Sequence, residues 1–301
     1  MRTEEQIHLA AADAVAPGSR VGDVRAYRRH PLPFPARLTV ITPAGPVECV
    51  AKAAPAASSR LDVEATALRL LSEVGARSPR LLAGPVPVQT DSGPFHVLVM
   101  TPLPGEVLPW LQVPDLATGD RTCRLWTTAV EELHVLTEPL AALPGSRHLA
   151  RRTLDDELAD VLAGDSDRIS SPLADRAIEL LGVHLAVHRR PLVFSNGDLN
   201  PLNVLTEDGG RVGWVDFEHA VFEDPLIGLP KFWFWADDPG WATGARLGLV
   251  ERYLYRHRVP AETFAVRILL RGLTHLRDTD PEHPPQQLVT TLEHAVDVLA
   301  R

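Results

Sequence analysis

The stretch Val193-Phe194-Ser195-Asn196-Gly197-Asp198-Leu199-Asn200-Pro201-Leu202-Asn203-Val204-Leu205, followed by Val212-Gly213-Trp214-Val215-Asp216-Phe217-Glu218, constrains this chain more than any other. Asp198 and Asn203 are five apart around Pro201, and Asp216 comes thirteen residues after Asn203. Between them, Asp208-Gly209-Gly210 is a hairpin signal. Val204-Leu205 and Val212 to Val215 are therefore expected to pair as strands and bring Asp216 beside Asn203. An Asp, an Asn and an Asp at one end of a small ribbon form a hard, oxygen-only donor set. Such a set suits Mg²⁺, which keeps several waters and shares its other positions with phosphate oxygens. One carboxylate would stay off the metal to receive a proton. Asp and Asn in turn-rich loops also serve simply as turn formers and caps. What makes this pattern specific is the spacing of three residues between two apolar runs.

The rest of the chain is long enough for one large domain or two lobes, at 301 residues. A buried core is feasible, since 45% of residues are hydrophobic and 23% charged. No apolar run has the length of a membrane span. Met1 to Gln6 has no basic region followed by an apolar one, so no signal peptide is expected. Two cysteines, Cys49 and Cys123, give neither a metal spacing nor a disulfide framework, which suits a reducing cytoplasm. The twelve His show no metal-binding pattern. A net charge of −9 argues against nucleic acid as the main partner and is compatible with a cationic small substrate.

Protein kinases share the grammar of the opening stretch: an Asp base, an Asn five residues on, then a metal-binding Asp. The variant here resembles the aminoglycoside phosphotransferase family, whose consensus runs His-Gly-Asp-Leu-His-Pro-Gly-Asn, then an apolar pair, then Asp-Phe or Asp-Trp. Gly197, Asp198, Leu199, Pro201, Asn203 and Asp216 match. Asn196 and Asn200 stand where the family has His, and Leu202 where it has Gly. Further on, Asp224-Pro225-Leu226 matches a second family motif, but Gly228 replaces an Asp that steadies the catalytic loop. Asn196 and Asn200, each with donors and acceptors, are expected to rebuild that support. The competing reading is a weakened or lost activity.

Upstream, residues 3 to 15 read as a helix, and Val21 to Tyr27 and Leu38 to Thr42 as strands. Between them Arg28-Arg29-His30-Pro31-Leu32-Pro33-Phe34-Pro35 occupies the place of a phosphate-covering loop, with three prolines and no glycine. Arg28 and Arg29 either take over phosphate contacts or are solvated loop charges. Val47 to Lys52 alternates as a strand, with Cys49 and Ala51 on one face and Val50 and Lys52 on the other. A helix follows, capped at Ser58-Ser59 and stopped at Gly75, with Glu64, Leu68 and Leu71 on one face. A Glu on an apolar stripe needs a partner when buried, and Lys52 is the candidate. Phe95 to Met100 reads as a buried strand, leading into Thr101-Pro102-Leu103-Pro104-Gly105.

The resemblance implies an α+β, two-lobed, protein-kinase-like fold. A small β-rich lobe would occupy residues 1–105 and a larger, mainly helical lobe 106–301, with nucleotide and Mg²⁺ between them. By the same resemblance Asp198 is the catalytic base, and Asn203 and Asp216 hold Mg²⁺. Lys52 contacts phosphate, aimed by Glu64. Val50 and Leu205 pack over the base, and the Thr101 carbonyl and Leu103 amide form the hinge contacts. The donor is ATP or GTP, and the product a phosphorylated hydroxyl. Only seven residues, 217 to 223, separate the metal motif from Asp224, which leaves no room for a peptide platform. The acceptor is therefore expected to be small: an antibiotic, amino sugar or metabolite lying against C-terminal helices at 240–257, 261–277 and 285–300. Trp233, Trp235, Trp241, Asp237 and Asp238 are either its pocket or ordinary core and cap residues. Two alternatives stay open: a kinase-like nucleotide-binding module without catalysis, and nucleotidyl transfer.

Overall fold

The computed structural model describes residues 2–27, 34–110, 113, 115–163, 171–207, 210–238, 241–280 and 283–301. Arg28, Arg29, Pro31 and Pro33 lie outside the described residues, as does the Asp208-Gly209 part of the hairpin turn. The chain forms two compact units. The first comprises Met1–Glu106, Val135–Leu149 and Asn203–Ala220; the second comprises Val107–His134, Ala150–Leu202 and Val221–Arg301. The chain thus leaves the first unit near the expected division at 105 but returns to it twice. The second return has a clear cause. Arg77 holds the Arg211 carbonyl at 2.6 Å and the Glu207 carboxylate at 3.1 Å, so the segment after Asn203 is fastened to the first unit.

The first unit is an antiparallel sheet with a helix on each face. In chain order its elements are α1 (Thr3–Val15), β1 (Arg20–Ala26), β2 (Ala36–Thr42), β3 (Gly45–Pro55), α2 (Arg60–Glu73), β4 (Leu81–Thr90) and β5 (Gly93–Met100). The strands lie in the order β1-β2-β3-β5-β4. The alternation of β3 decides which helix each residue meets. Cys49 and Ala51 are buried in one cluster with Ile7, Ala11 and Ala12 of α1 and with Leu38, Val40, Val97 and Val99. Lys52 points to the opposite face, toward α2. Ser59 stands at the expected start of α2, but its side chain makes no cap bond there. The helix stops as expected. Gly75 takes φ 70°, its amide bonds the Ser72 carbonyl and the Ala76 amide bonds that of Leu71. This left-handed cap is one that Gly adopts without a Cβ penalty. After β6 (Glu106–Val107), the unit is completed by α4 (Thr137–Ala141) and by β9 (Val204–Thr206) paired antiparallel with β10 (Val212–Trp214), as expected.

The second unit is mainly helical. It holds α3 (Leu116–Val135), β7 (Ala150–Arg151), α5 (Leu154–Ala163), α6 (Pro172–His184), β8 (Val193–Ser195) and β11 (Val221–Glu223). Then follow α7 (Lys231–Phe234), α8 (Ala242–Arg246), α9 (Leu249–Arg256), α10 (Ala261–Asp278) and α11 (Gln286–Leu299). The helix expected over 240–257 is two helices, because Gly248 takes φ 60° between them. A three-stranded ribbon, β7-β11-β8, has β11 antiparallel to β8 and parallel to β7. Asp224 leaves this ribbon and meets Arg267 of α10 in a fully buried ion pair at 2.5 Å. Arg267 also donates to the carbonyls of Thr263 and His188. Every donor named is satisfied by a carboxylate or carbonyl, the condition under which a charge tolerates burial. The Asp-Pro-Leu motif is thereby tied to α10.

Candidate active site

In the first unit, Lys52 gathers the residues that the sequence singled out. Its Nζ donates to Glu64 Oε1 at 2.8 Å and Oε2 at 2.7 Å, and to Asp216 Oδ1 at 2.5 Å. Glu64 is 0% exposed and also accepts the Phe217 amide at 3.2 Å. The pair therefore binds the ribbon's end to α2 through both a side chain and the backbone. Burial alone would lower the Lys52 pKa, but Glu64 and then Asp216 outweigh it and raise it. Lys52 is thus a fixed cation. Asp216 adopts φ 65°, in the left-handed region where a non-glycine residue is uncommon. Backbone strain of this kind persists only where surrounding contacts enforce it; the Lys52 bond and the Phe217–Glu64 bond do so here.

Asn203 precedes β9, and its carbonyl accepts the Val215 amide at 2.9 Å, which sets it beside Asp216 as the hairpin expectation required. Carboxylate oxygens of Glu64, Asp216 and Glu218 lie within 4.8 Å of one another. An oxygen-only donor set with one ammonium among three carboxylates fits a hard divalent cation. Val50 is half-buried on the Lys52 face of β3, opposite Met100 in register. Thr101 is pinned to Arg80 through its amide, at 2.8 Å, and its hydroxyl, at 2.9 Å. The Leu103 side chain lies so close to Gly213 that a Cβ there would meet it at 3.1 Å; Leu205 pairs with Gly213 in register.

The second unit holds Asp198, on the loop leaving β8. Asn196, 0% exposed, grips that loop from both sides: its Oδ1 accepts the Asp198 amide at 3.1 Å and its Nδ2 donates to the Asp198 carbonyl at 2.8 Å. Asn200 accepts the Leu202 amide at 3.0 Å, and Trp126 donates to the Leu199 carbonyl at 3.1 Å. Both asparagines thus make contacts with backbone of this loop, Asn196 with Asp198 and Asn200 only with Leu202 two residues on. Where the family has Asp, Gly228 has its Cβ position 3.3 Å from a Leu199 methyl, so the apolar side chain occupies that space.

Lys231, at the start of α7, escaped the sequence reading. Its Nζ is hydrogen-bonded to Asp198 Oδ1 and lies 5.0 Å from the centre of the Trp241 ring. A signal was available: the chain has only two lysines, Lys52 and Lys231, among 30 basic residues. Trp233 packs edge-on to Phe264, Trp235 to His275 and Trp241 to Phe232, while Asp237 and Asp238 are exposed. The tryptophans are thus packed against neighbouring rings, whatever else they contact.

A sequence model described as a phosphotransferase enzyme family matches residues 38–264. No curated protein matches the chain by sequence. Among solved structures, an aminoglycoside phosphotransferase APH(4)-Ia variant in complex with AMP-PNP and hygromycin B is 13% identical, with TM-score 0.63 over 94% of each chain. A putative aminoglycoside phosphotransferase from Ralstonia eutropha is 14% identical, with TM-score 0.58 over 99% of this chain and 95% of that one. Choline kinase LicA from Streptococcus pneumoniae is 13% identical, with TM-score 0.53 over 98% of each. These likenesses establish the kinase-like fold, and the family match covers well over half of the sequence. The chain belongs to the phosphotransferase enzyme family.

Proposed function

We propose that this protein transfers the γ-phosphoryl group of a purine nucleoside triphosphate to a hydroxyl of a small molecule. The observation that carries this reading is Lys52 bonded at once to Glu64 and Asp216, three residues far apart in sequence. Lys52 neutralises phosphate oxygens, and Glu64 keeps it aimed. Asp216 and Asn203 would hold Mg²⁺, which would offset charge on the phosphates. The need is electrostatic: like unit charges about 4 Å apart repel by roughly 4 kcal/mol at an effective dielectric of ~20. Val50 and Leu205 cover the base, and Thr101 and Leu103 contact its edge. Asp198 orients the acceptor hydroxyl and takes its proton as the oxygen–phosphorus bond forms and the nucleoside diphosphate leaves.

The related structures hold ADP, AMP-PNP or GDP, which supports a nucleotide donor and leaves both ATP and GTP as candidates. Hygromycin B in three of them and the choline kinase among them support a small hydroxylated acceptor with a cationic group. Asn196's hold on the Asp198 backbone favours a working catalytic loop over a degenerate one.

Two variants test the assignment. Asp198→Ala is expected to keep Mg-nucleotide affinity and to lose about 10²- to 10⁴-fold in turnover, the range for a positioned base. Asp216→Ala is expected to weaken Mg-nucleotide binding itself. Calorimetry with ATP and GTP, alongside a nucleotide-depletion screen over hydroxylated antibiotics and metabolites, reads both. Full turnover in Asp198→Ala, or unchanged affinity in Asp216→Ala, removes that residue from its role.

A further inference from the structure

We infer that Lys231 is a second functional lysine: a positioning residue that, as an ammonium, orients the Asp198 carboxylate for the acceptor hydroxyl. The inference rests on the phosphotransferase reading above and adds a residue to it. Three independent observations point there. Lys231 Nζ is hydrogen-bonded directly to Asp198 Oδ1. Its side chain is only 13% exposed, so the contact is not a surface ion pair of the kind that contributes little. The chain otherwise uses arginine for its cations and has lysine at two positions alone, both bonded to a carboxylate with a proposed catalytic role.

Residue type matters here. Arginine offers a broad planar fork, whereas lysine offers a compact point charge on a flexible stem. The Trp241 ring beneath Nζ leaves room for the small group and steadies it through the ring's negative face. Asn196 fixes the backbone of Asp198; Lys231 fixes the side chain. The loop's two supports are thus divided between an amide and an ammonium. In the transfer step the acceptor proton passes to Asp198 while Lys231 keeps its own protons. The ammonium stays hydrogen-bonded to Asp198, and the electron pair of the broken phosphorus–oxygen bond departs with the nucleoside diphosphate.

The setting makes this ammonium unusually easy to deprotonate. Burial lowers its pKa, and Asp198 opposes that without cancelling it. The charged groups around it are Asp198 on the loop after β8, Glu223 on β11, and Arg271 and His275 on α10. Arg271 pushes the same way as burial, and Glu223 the other. Because the protonated form is the working one, turnover is expected to fall as pH rises through a value below the ordinary lysine range.

The experiment uses the full chain and water as the acceptor, so that Mg-ATP hydrolysis is read without knowing the natural acceptor. It is repeated with any acceptor that the screen supplies. Lys231→Met is expected to lower kcat about 30- to 100-fold, in line with the cost of misplacing a catalytic group, with KM for nucleotide within about twofold. Lys231→Arg is expected to restore part of kcat and to move the alkaline limb upward, since a guanidinium stays charged. A merely structural lysine would move neither the limb nor the ratio of kcat to KM. Should neither variant fold, lysine labelled at Cε gives only two side-chain resonances, and the Lys231 resonance is expected to titrate together with the wild-type alkaline limb. Wild-type turnover matched by Lys231→Met, or a limb that ignores the Lys231 titration, overturns the inference and leaves the phosphotransferase reading standing. A wild-type chain that binds Mg-ATP but turns nothing over sinks that reading and this inference with it.

Discussion

Lys52 in the first unit faces two carboxylates, one of them completely buried, with a third close by. Lys231 in the second unit bonds one carboxylate that is 38% exposed. The consequences are opposite in sign. Around Lys52 the negative charge is in excess, so the lysine's pKa is raised and the cluster has capacity for another cation. Around Lys231 the balance is close to even and burial wins, so its pKa is lowered. Two lysines with the same length of side chain are thus built for different work. The first is a persistent charge held among carboxylates, in the cluster proposed to take phosphate and metal. The second is a charge that can be lost, set beside a proposed proton acceptor. Burial is common to both; the number of carboxylates decides which way the balance falls.

Removing each lysine should therefore cost different amounts. Lys52→Met leaves the buried Glu64 carboxylate facing Asp216 with no cation between them. Stripping one partner from a buried pair costs about 3–5 kcal/mol, and the first unit should lose stability on that scale in denaturant unfolding. Lys231→Met removes a buried cation and leaves only the partly exposed Asp198, which water can solvate, so the loss should be smaller, about 1 kcal/mol, the typical net value of one hydrogen bond. Equal losses in the two variants would break the contrast. Recovery of Lys52→Met stability on adding Glu64→Gln would sharpen it, because the double change leaves no buried charge behind.

Acid should separate the units as well. In the second unit, burial lowers the pKa of His134 and His275 to about 4 each. The unfolded chain takes up those protons near pH 6.5 and the folded one only near 4. Stability from these imidazoles is complete above 6.5 and is lost as pH falls toward 4. At pH 5 the loss is about 2 kcal/mol for each. Glu223 works the other way, because burial raises its pKa. In the first unit, His8 is lowered by burial but His219 is raised by its bond to Glu218, so the two oppose each other. Hydrogen exchange at pH 7 and pH 5 should show amides of α3 and α10 losing protection while those of β2, β3 and β5 keep it. Uniform loss across both units would end the distinction.

How much of this was legible in the sequence follows the same division. The first unit's site is written in short-range code. Strand alternation puts Lys52 opposite Cys49 and Ala51, helical spacing puts Glu64 with Leu68 and Leu71, and the glycine-rich turn folds Asp216 back beside Asn203. Each of these is a local rule, and the kinase-like spacing joins them. The second unit's contacts are not local. Lys231 follows Pro230 in an apolar run, Lys231-Phe232-Trp233-Phe234, which reads as core, and nothing in that run indicates Asp198 thirty-three residues earlier. The β8–β11 pairing that sets the loop is three residues per strand, too short for periodicity to reveal. Gly248 was likewise hidden, since a single glycine inside a helical pattern is usually tolerated. Only the scarcity of lysine carried the information, and composition is easily read as mere bias.

The smallest effect expected bears on how the second unit holds its loop. Asn196 stands where the family has His, and its two bonds to Asp198 use one donor and one acceptor. Asn196→Ala removes both and leaves a buried amide and carbonyl short of a partner, at about 1–3 kcal/mol. Part of that returns if water enters the gap. The effect should concentrate on the loop. Turnover should fall by about tenfold while Mg-nucleotide affinity, proposed to rest on Lys52, Asn203 and Asp216, stays within about twofold. Asn196→His is the more searching change. An imidazole places a donor and an acceptor farther from the backbone than the amide does, and the site has no slack, since Asn196 is 0% exposed. If His were accepted without loss, the asparagine would be interchangeable with the family residue, and Lys231 would carry the positioning of Asp198 largely alone. If His proves as damaging as Ala, the amide and the ammonium form one coupled support. The double variant with Lys231→Met should then lose less than the product of the two single losses.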